Sequence, residues 1–171
     1  RVKGSALFFF NSVGLARPEV IHYRNRMLER YRPPEDAKIL LLMPQTHTKP
    51  FHKAQEFKKI KQVLSGYMHV CFYAAPFGLI PLELDEVYPL SQHETALPLD
   101  KETIDYVAGQ VADYIKRAHY KTIVLLHNSQ HWDDSVKKMC SKTCLKKGIR
   151  FEYVDIKAEG TKNLLTRLEM V

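Results

Sequence analysis

The chain has 171 residues, 45% of them apolar, which is enough for one substantial core and argues for a single domain. No apolar run approaches the roughly 20 residues that cross a bilayer, and the start, Arg1-Val2-Lys3 followed by Leu7 to Phe10, lacks the small-residue cleavage site of a signal peptide. The formal net charge is +7, and three cysteines, Cys71, Cys140 and Cys144, are too few for a disulfide framework, so a cytoplasmic chain with no membrane partner is expected.

The charge is unevenly spread. Residues 1 to 66 carry 13 basic and 5 acidic side chains, residues 67 to 118 carry 3 and 8, and residues 119 to 171 carry 10 and 6. Such segregation points to a basic face. Arg17, Arg24, Arg26, Arg30 and Arg32 cluster around one short helix, and guanidinium groups suit phosphate.

In chain order, Ala6 to Phe10 reads as a short strand before the turn Asn11-Ser12-Val13-Gly14. Pro18 suits a first helical turn, and Val20, Arg24, Met27, Leu28 and Tyr31 recur at helical spacing until Pro33-Pro34. Ile39 to Met43, apolar throughout and closed by Pro44, has the pattern of a central strand buried on both faces. From Phe51, the positions Ala54, Phe57, Ile60, Val63 and Leu64 form a helical stripe ending at Gly66, and Met68 to Ala74 is a second buried strand.

Pro76 to Pro98 holds four of the nine prolines and reads as a long structured loop. Asp100 is placed to cap a helix with Ile104, Val107, Ala108, Val111, Ile115 and Ala118 on one face. Thr122 to Leu126 is a third buried strand. Asp133 or Ser129 caps a helix with Val136, Met139, Cys140, Thr143 and Cys144 inward, closed by Gly148. Phe151 to Val154 is a fourth strand and Ala158 to Leu168 a last helix.

Strands alternating with crossover helices predict an α/β domain with a mainly parallel sheet of about four strands, covered on both faces. Residues 1–34 read as a strand and helix extension on a core of 35–171. A start without methionine that runs almost at once into a strand is expected of a piece of a longer polypeptide.

Ligands of such sheets sit at the carboxyl ends of the strands, which draws attention to the loops Pro44 to Lys53, Pro76 to His93 and His127 to Trp132. The glycine-rich dinucleotide and phosphate-loop fingerprints are absent, so no nucleotide cofactor of those classes is expected. His47, His52, His93, His127 and His131 lack zinc-ligand spacing, and no metal is expected. Cys71, within a strand, reads as a packed apolar residue. Lys49 is the better nucleophile, flanked by His47 and His52. Glu83 to Glu86 could hold the amine of a small substrate, and Trp132 offers either a stacking platform or a core anchor.

Several segments in this order carry a family resemblance. Arg17-Pro18-Glu19-Val20 leads into Arg24, Arg26, Met27 and Leu28; then come Pro44, Lys49-Pro50-Phe51, the run Pro76-Phe77-Gly78-Leu79-Ile80-Pro81-Leu82-Glu83-Leu84, Val87-Tyr88-Pro89 and Gln92. Together they resemble the domain shared by archaeosine synthases and archaeal tRNA-guanine transglycosylase relatives, over about residues 6 to 156.

The resemblance implies a uracil-DNA-glycosylase-like fold, a three-layer α/β/α sandwich. It also implies a pathway in which lysine is joined to the nitrile of 7-cyano-7-deazaguanine in tRNA. The synthase motif reads Pro-Cys, three residues, Lys-Pro-Tyr, two residues, Ser, two residues, His. Here Pro44, Lys49 and Pro50 are kept, whereas Gln45, Phe51, Ala54 and Phe57 stand at the Cys, Tyr, Ser and His positions.

An accessory, non-catalytic domain of a tRNA-modification protein is therefore expected, with tRNA and other domains or subunits of that protein as partners. The alternative is an active lysine transferase using Lys49 with His47 or His93 as proton donor. Its substrate contacts would come from Pro44, Gln45, Pro50, Phe51, Phe77, Gly78, Glu83, Tyr88 and Gln92, and Arg17, Arg24, Arg26 and Arg30 would contact RNA. The loop Pro76 to Gln92 is expected to fold over the strand ends and bring Glu83 and Tyr88 near Lys49.

Overall fold

A computed structural model describes residues 7–9, 11–62, 68–91 and 93–156. Its elements in chain order are β1 (Leu7–Phe9), α1 (Pro18–Glu29), β2 (Ile39–Pro44), α2 (Gln55–Lys61), β3 (Met68–Ala74) and β4 (Gly78–Pro81). They continue with β5 (His93–Thr95), α3 (Lys101–Arg117), β6 (Thr122–His127), α4 (Ser135–Lys147) and β7 (Arg150–Asp155). The last helix expected from the sequence, and the Val63, Leu64 and Gly66 end of the α2 stripe, lie outside the described residues.

The central sheet has five strands in the order β4-β3-β2-β6-β7, and β2 pairs in parallel with both β3 and β6. Leu40, Leu41 and Leu42 are fully buried in it, as an uninterrupted apolar strand between two neighbours requires. Successive side chains of β3 face opposite layers. Phe72 packs on Phe57 of α2 with ring centroids 6.0 Å apart, while Tyr73 meets Trp132 on the other face at 5.0 Å. The result is a three-layer α/β/α sandwich.

A mainly parallel sheet of about four strands was expected, and the sheet is mainly parallel with five; the added strand, β4, runs antiparallel to β3. It lies inside the segment read as a loop. Prolines are tolerated on an edge strand, and Gly78, at a φ of 96°, turns the chain back along β3. The exposed edge of β4 is covered by α1, whose Tyr23 hydroxyl donates to the Leu79 carbonyl. The N-terminal segment is therefore built into the core, with Phe9, Val20, Tyr23 and Met27 all buried. Leu28, expected on the apolar stripe of α1, is instead 46% exposed, because Tyr23 takes the core-facing position. Met139 likewise turns outward on α4.

Asp100 joins two parts of this architecture. Its carboxylate accepts from Thr103 N at 3.0 Å, capping α3 as expected, and from Ser12 N at 3.1 Å in the turn after β1. The Thr103 hydrogen bond, reinforced by Ser12, holds its carboxyl below the usual range. A lowered folded value means that the stabilisation is present above the unfolded pKa and is lost as pH falls through the folded one. Asp100→Ala is expected to cost about 0.5 to 2 kcal/mol at neutral pH, and less in acid. Denaturation at neutral and acid pH measures it, and an equal cost at both would contradict the capping role.

Candidate functional site

From β2 the chain turns toward β3, and later elements build β6 on its other side, so the crevice between the two connections opens at the carboxyl ends of β2 and β6. A cavity of about 740 Å³ lies there. The loop after β2 contributes Gln45, Thr46, His47 and Lys49, and the first turn of α2 contributes Glu56. Asn128 and His131 follow β6, and Ile156 follows β7. A wall of Phe8, Thr95, Ala96 and Leu97 comes from the small parallel sheet of β1 and β5.

Three of the expected site residues, Gln45, His47 and Lys49, thus share one cavity. Pro44 and Phe51 are buried beneath it, Phe51 against Phe72 with centroids 4.9 Å apart. Gln45 ties the ends of two strands together: its backbone N–H donates to Tyr73 O at 2.9 Å, and its side-chain oxygen accepts from Ala75 N at 2.7 Å. Pro50 opens a turn in which His52 is clasped by the segment after β4. Asp85 lies 2.9 Å from His52 Nδ1 and also accepts from the His52 backbone N–H, and Glu86 lies 3.3 Å from Nε2. Asp85 is 2% exposed and occupied by this contact, so this one carboxylate of the acidic segment braces the loop after β2.

Other expected positions fall elsewhere. Glu83 does not line this cavity, because β4 runs back along β3 and delivers it 3.0 Å from His69 Nε2 and within reach of the Tyr31 hydroxyl. Tyr88 is 63% exposed and does not line the cavity. Phe77 is a core residue, edge-on to Phe9, Tyr23 and His93. Gln92 lies outside the described residues.

His93 is 1% exposed, in a box formed by Phe9, Phe51 and Phe77. Burial, with the nearby Lys49 charge, lowers its pKa to about 4. It is neutral at physiological pH and its Nδ1 is 2.9 Å from the Leu90 carbonyl, an acceptor that fixes the proton on that nitrogen. This ring therefore does not suit the proton-donor role expected for it. His127 is also buried, between the Tyr153 hydroxyl and the Asp133 carbonyl. Trp132 is a core anchor at 2% exposure.

None of the three thiols lines the cavity. Cys71, Cys140 and Cys144 are all buried, and burial raises each thiol pKa, that of Cys144 to about 11. Ala54 and Phe57 are packed into the core at 1% and 3% exposure. Along α1, Arg17 pairs with Glu19 at 3.3 Å and lies over the Phe9 ring. Arg24 sits beside Tyr106, whereas Arg26 and Arg30 are exposed toward the far end of the sheet.

Fold and crevice define a doubly wound α/β domain whose ligand-sized cavity sits at the switch point of its sheet. The chain belongs to the family described as Domain of unknown function (DUF5591), whose model matches residues 20–170. It is 30% identical over 170 residues to the archaeosine synthase subunit alpha of Methanosarcina acetivorans, covering 96% of this chain and 26% of that protein. It is 33% identical over 132 residues to the tRNA-guanine(15) transglycosylase of Saccharolobus solfataricus, covering 74% of this chain and 25% of that protein. The chain thus spans about a quarter of the length of these relatives. The crystal structure of AF0587, a protein of unknown function, shares the fold with a TM-score of 0.61 at 18% identity, over 86% of this chain and 50% of that one.

Proposed function

We propose that this chain is an accessory, non-catalytic domain of a cytoplasmic tRNA-modification protein of the archaeosine pathway. It works with tRNA and with other domains or subunits of that protein. The relatives' names motivate the pathway. The observation that carries the non-catalytic reading is the state of the positions matching the synthase motif.

Adding an amine to a nitrile needs a nucleophile and a proton for the developing imine nitrogen. Gln45, at the cysteine position, supplies neither and is engaged with Ala75 N at 2.7 Å. Phe57, at the histidine position, is packed on Phe72. A second reading, an active lysine transferase, is favoured by one observation: Lys49 and His47 face the same cavity.

Mass spectrometry separates the two. Incubated with lysine and tRNA bearing 7-cyano-7-deazaguanine, the purified protein is expected to give no lysine adduct. An adduct that disappears in Lys49→Met would reverse the conclusion. Filter binding tests the partner: the full-length parent is expected to bind tRNA with salt-dependent affinity that falls when this domain is deleted.

A further inference from the structure

The end of α1 gathers three arginines around one hollow. Arg26, Arg30, Tyr31, Arg32 and Leu84 line a notch of about 300 Å³. The chain is tightly wound there: Arg26 O accepts from Arg30 N at 2.9 Å and from Tyr31 N at 3.0 Å, and Arg32 Nη1 donates to Tyr31 O at 3.3 Å. The three arginines are exposed. Among the described residues the arginine ion pairs are those of Arg17 with Glu19 and Arg150 with Glu152, so Arg26, Arg30 and Arg32 have none. Like charges four positions apart on a helix repel, and Arg26 and Arg30 stand in that relation with a third guanidinium beside them.

The helix end does not require them. Cations favour the last turn of a helix because they compensate its free carbonyls. At α3 this is done by Lys147, which donates to the carbonyls of Ile115, Lys116 and Ala118. At α1 it is done from α3, where Arg117 donates to Met27 O at 3.2 Å. The side chains of Arg26 and Arg30 are not used in this way. Nor is a counter-charge at hand: Glu29 lies in the adjoining hollow with His22 and Asn25, and Glu83 is held by the Tyr31 hydroxyl and by His69.

The floor of the notch is fixed from beneath. The Tyr31 hydroxyl donates to Glu83, whose carboxylate lies 3.0 Å from His69 Nε2. His69 Nδ1 is 2.6 Å from the Tyr120 hydroxyl, which is 2.7 Å from that of Tyr114. The Tyr31 ring in turn lies against Tyr114, with centroids 6.1 Å apart. A paired network of this kind specifies one geometry, and Pro33-Pro34 restrict the backbone that follows. Groups held in place beforehand lose less entropy when a ligand arrives.

We propose that Arg26, Arg30 and Arg32 form a notch that grips the phosphate backbone of RNA, with Tyr31 as its positioning residue. The proposal rests on the tRNA reading above and deepens it. Guanidinium forks match phosphate oxygens in pairs, and backbone contacts of this type set the register of a nucleic acid without reading its sequence. Of the arginines clustered around α1, Arg17 is occupied by Glu19 and Arg24 sits beside Tyr106, so the grip belongs to the C-terminal three.

Filter binding of the full chain to a tRNA transcript, across a salt titration, tests the notch. The variant R26Q/R30Q/R32Q is expected to flatten the dependence of log K on log salt by about 0.7 to 0.9 for each phosphate released. A control with the same charge change on α2, K58Q/K59Q/K61Q, is expected to leave the slope alone. Tyr31→Phe keeps every charge but loses the bond to Glu83, so the slope is expected to stay while affinity falls about 2- to 10-fold. If the triple variant does not fold, Arg30→Glu alone, which sets an anion in the hollow, is expected to weaken binding about tenfold or more at low salt and less at high salt.

An unchanged slope in the folded triple variant, unchanged binding by Arg30→Glu, or an equal fall in the α2 control overturns the notch while leaving tRNA binding intact. Unchanged affinity in Tyr31→Phe overturns the positioning role. A wild-type chain without salt-dependent affinity removes the tRNA reading itself. Polyglutamate competing as well as RNA at equal charge would assign the notch to an acidic protein and also overturn the proposal.

Discussion

Replacing Leu41 by alanine is expected to lower the unfolding free energy by about 2 to 5 kcal/mol. Leu41 is at the middle of β2, opposite Val70 of β3 on one side and Val124 of β6 on the other, and is 0% exposed. With helices on both faces and strands on both edges, its surroundings have no free direction in which to collapse, so the lost transfer energy is joined by the cost of a cavity. Leu145→Ala, at a leucine 83% exposed on α4, is expected to change stability by less than about 0.5 kcal/mol. Denaturant midpoints of the two variants decide the matter, and equal midpoints would contradict the placement of β2 at the centre of the sheet.

The pattern that identifies β2 also explains how much of the fold could be read from the sequence. Strands buried on both faces are continuous apolar runs, and β2, β3 and β6 are of that kind. Their order along the chain, separated by amphipathic helices, leaves little choice but a parallel sheet. β4 has no such signature. Its four residues lie among prolines and a glycine, and it becomes a strand because β3 offers an unpaired edge and α1 covers the far side.

That hidden strand displaced part of the site. Read as a loop, Pro76 to Gln92 could be laid over the cavity, bringing Glu83 and Tyr88 to Lys49. Running antiparallel to β3, the same residues carry Glu83 back along the sheet to His69. The loop after β2 was legible because strand polarity alone places it at the crevice. The wall from Phe8, Thr95, Ala96 and Leu97 was not, since it arises from the three-residue pairing of β1 with β5 across more than eighty positions. His93 was legible as a histidine near the strand ends; its enclosure by three phenylalanines from distant segments was not.

Gly78 is where this hidden strand is most vulnerable, and Gly78→Ala is expected to destabilise the protein by roughly 2 to 4 kcal/mol, from a conformational and a steric cost acting together. Its φ of 96° lies where an L side chain is strained. A Cβ built there would also stand 2.7 Å from Cβ of Gln110 on α3, closer than such atoms approach in folded proteins. The contact is at the root of the Gln110 side chain, so rotamer change cannot relieve it, and either β4 or α3 must shift. Both elements belong to the core, through Leu79 and Ile80 on one side and Val107 and Val111 on the other. A second variant separates the two costs. Gln110→Gly in the Gly78→Ala background removes the steric clash but leaves the backbone strain, so it is expected to recover part of the loss beyond its own helix penalty of about 1 kcal/mol. Denaturant unfolding of the four proteins of this double-mutant cycle gives the coupling between the positions. If the two substitutions add without coupling, the close approach of β4 to α3 is wrong; if Gly78→Ala alone is neutral, so is the left-handed turn that begins the strand.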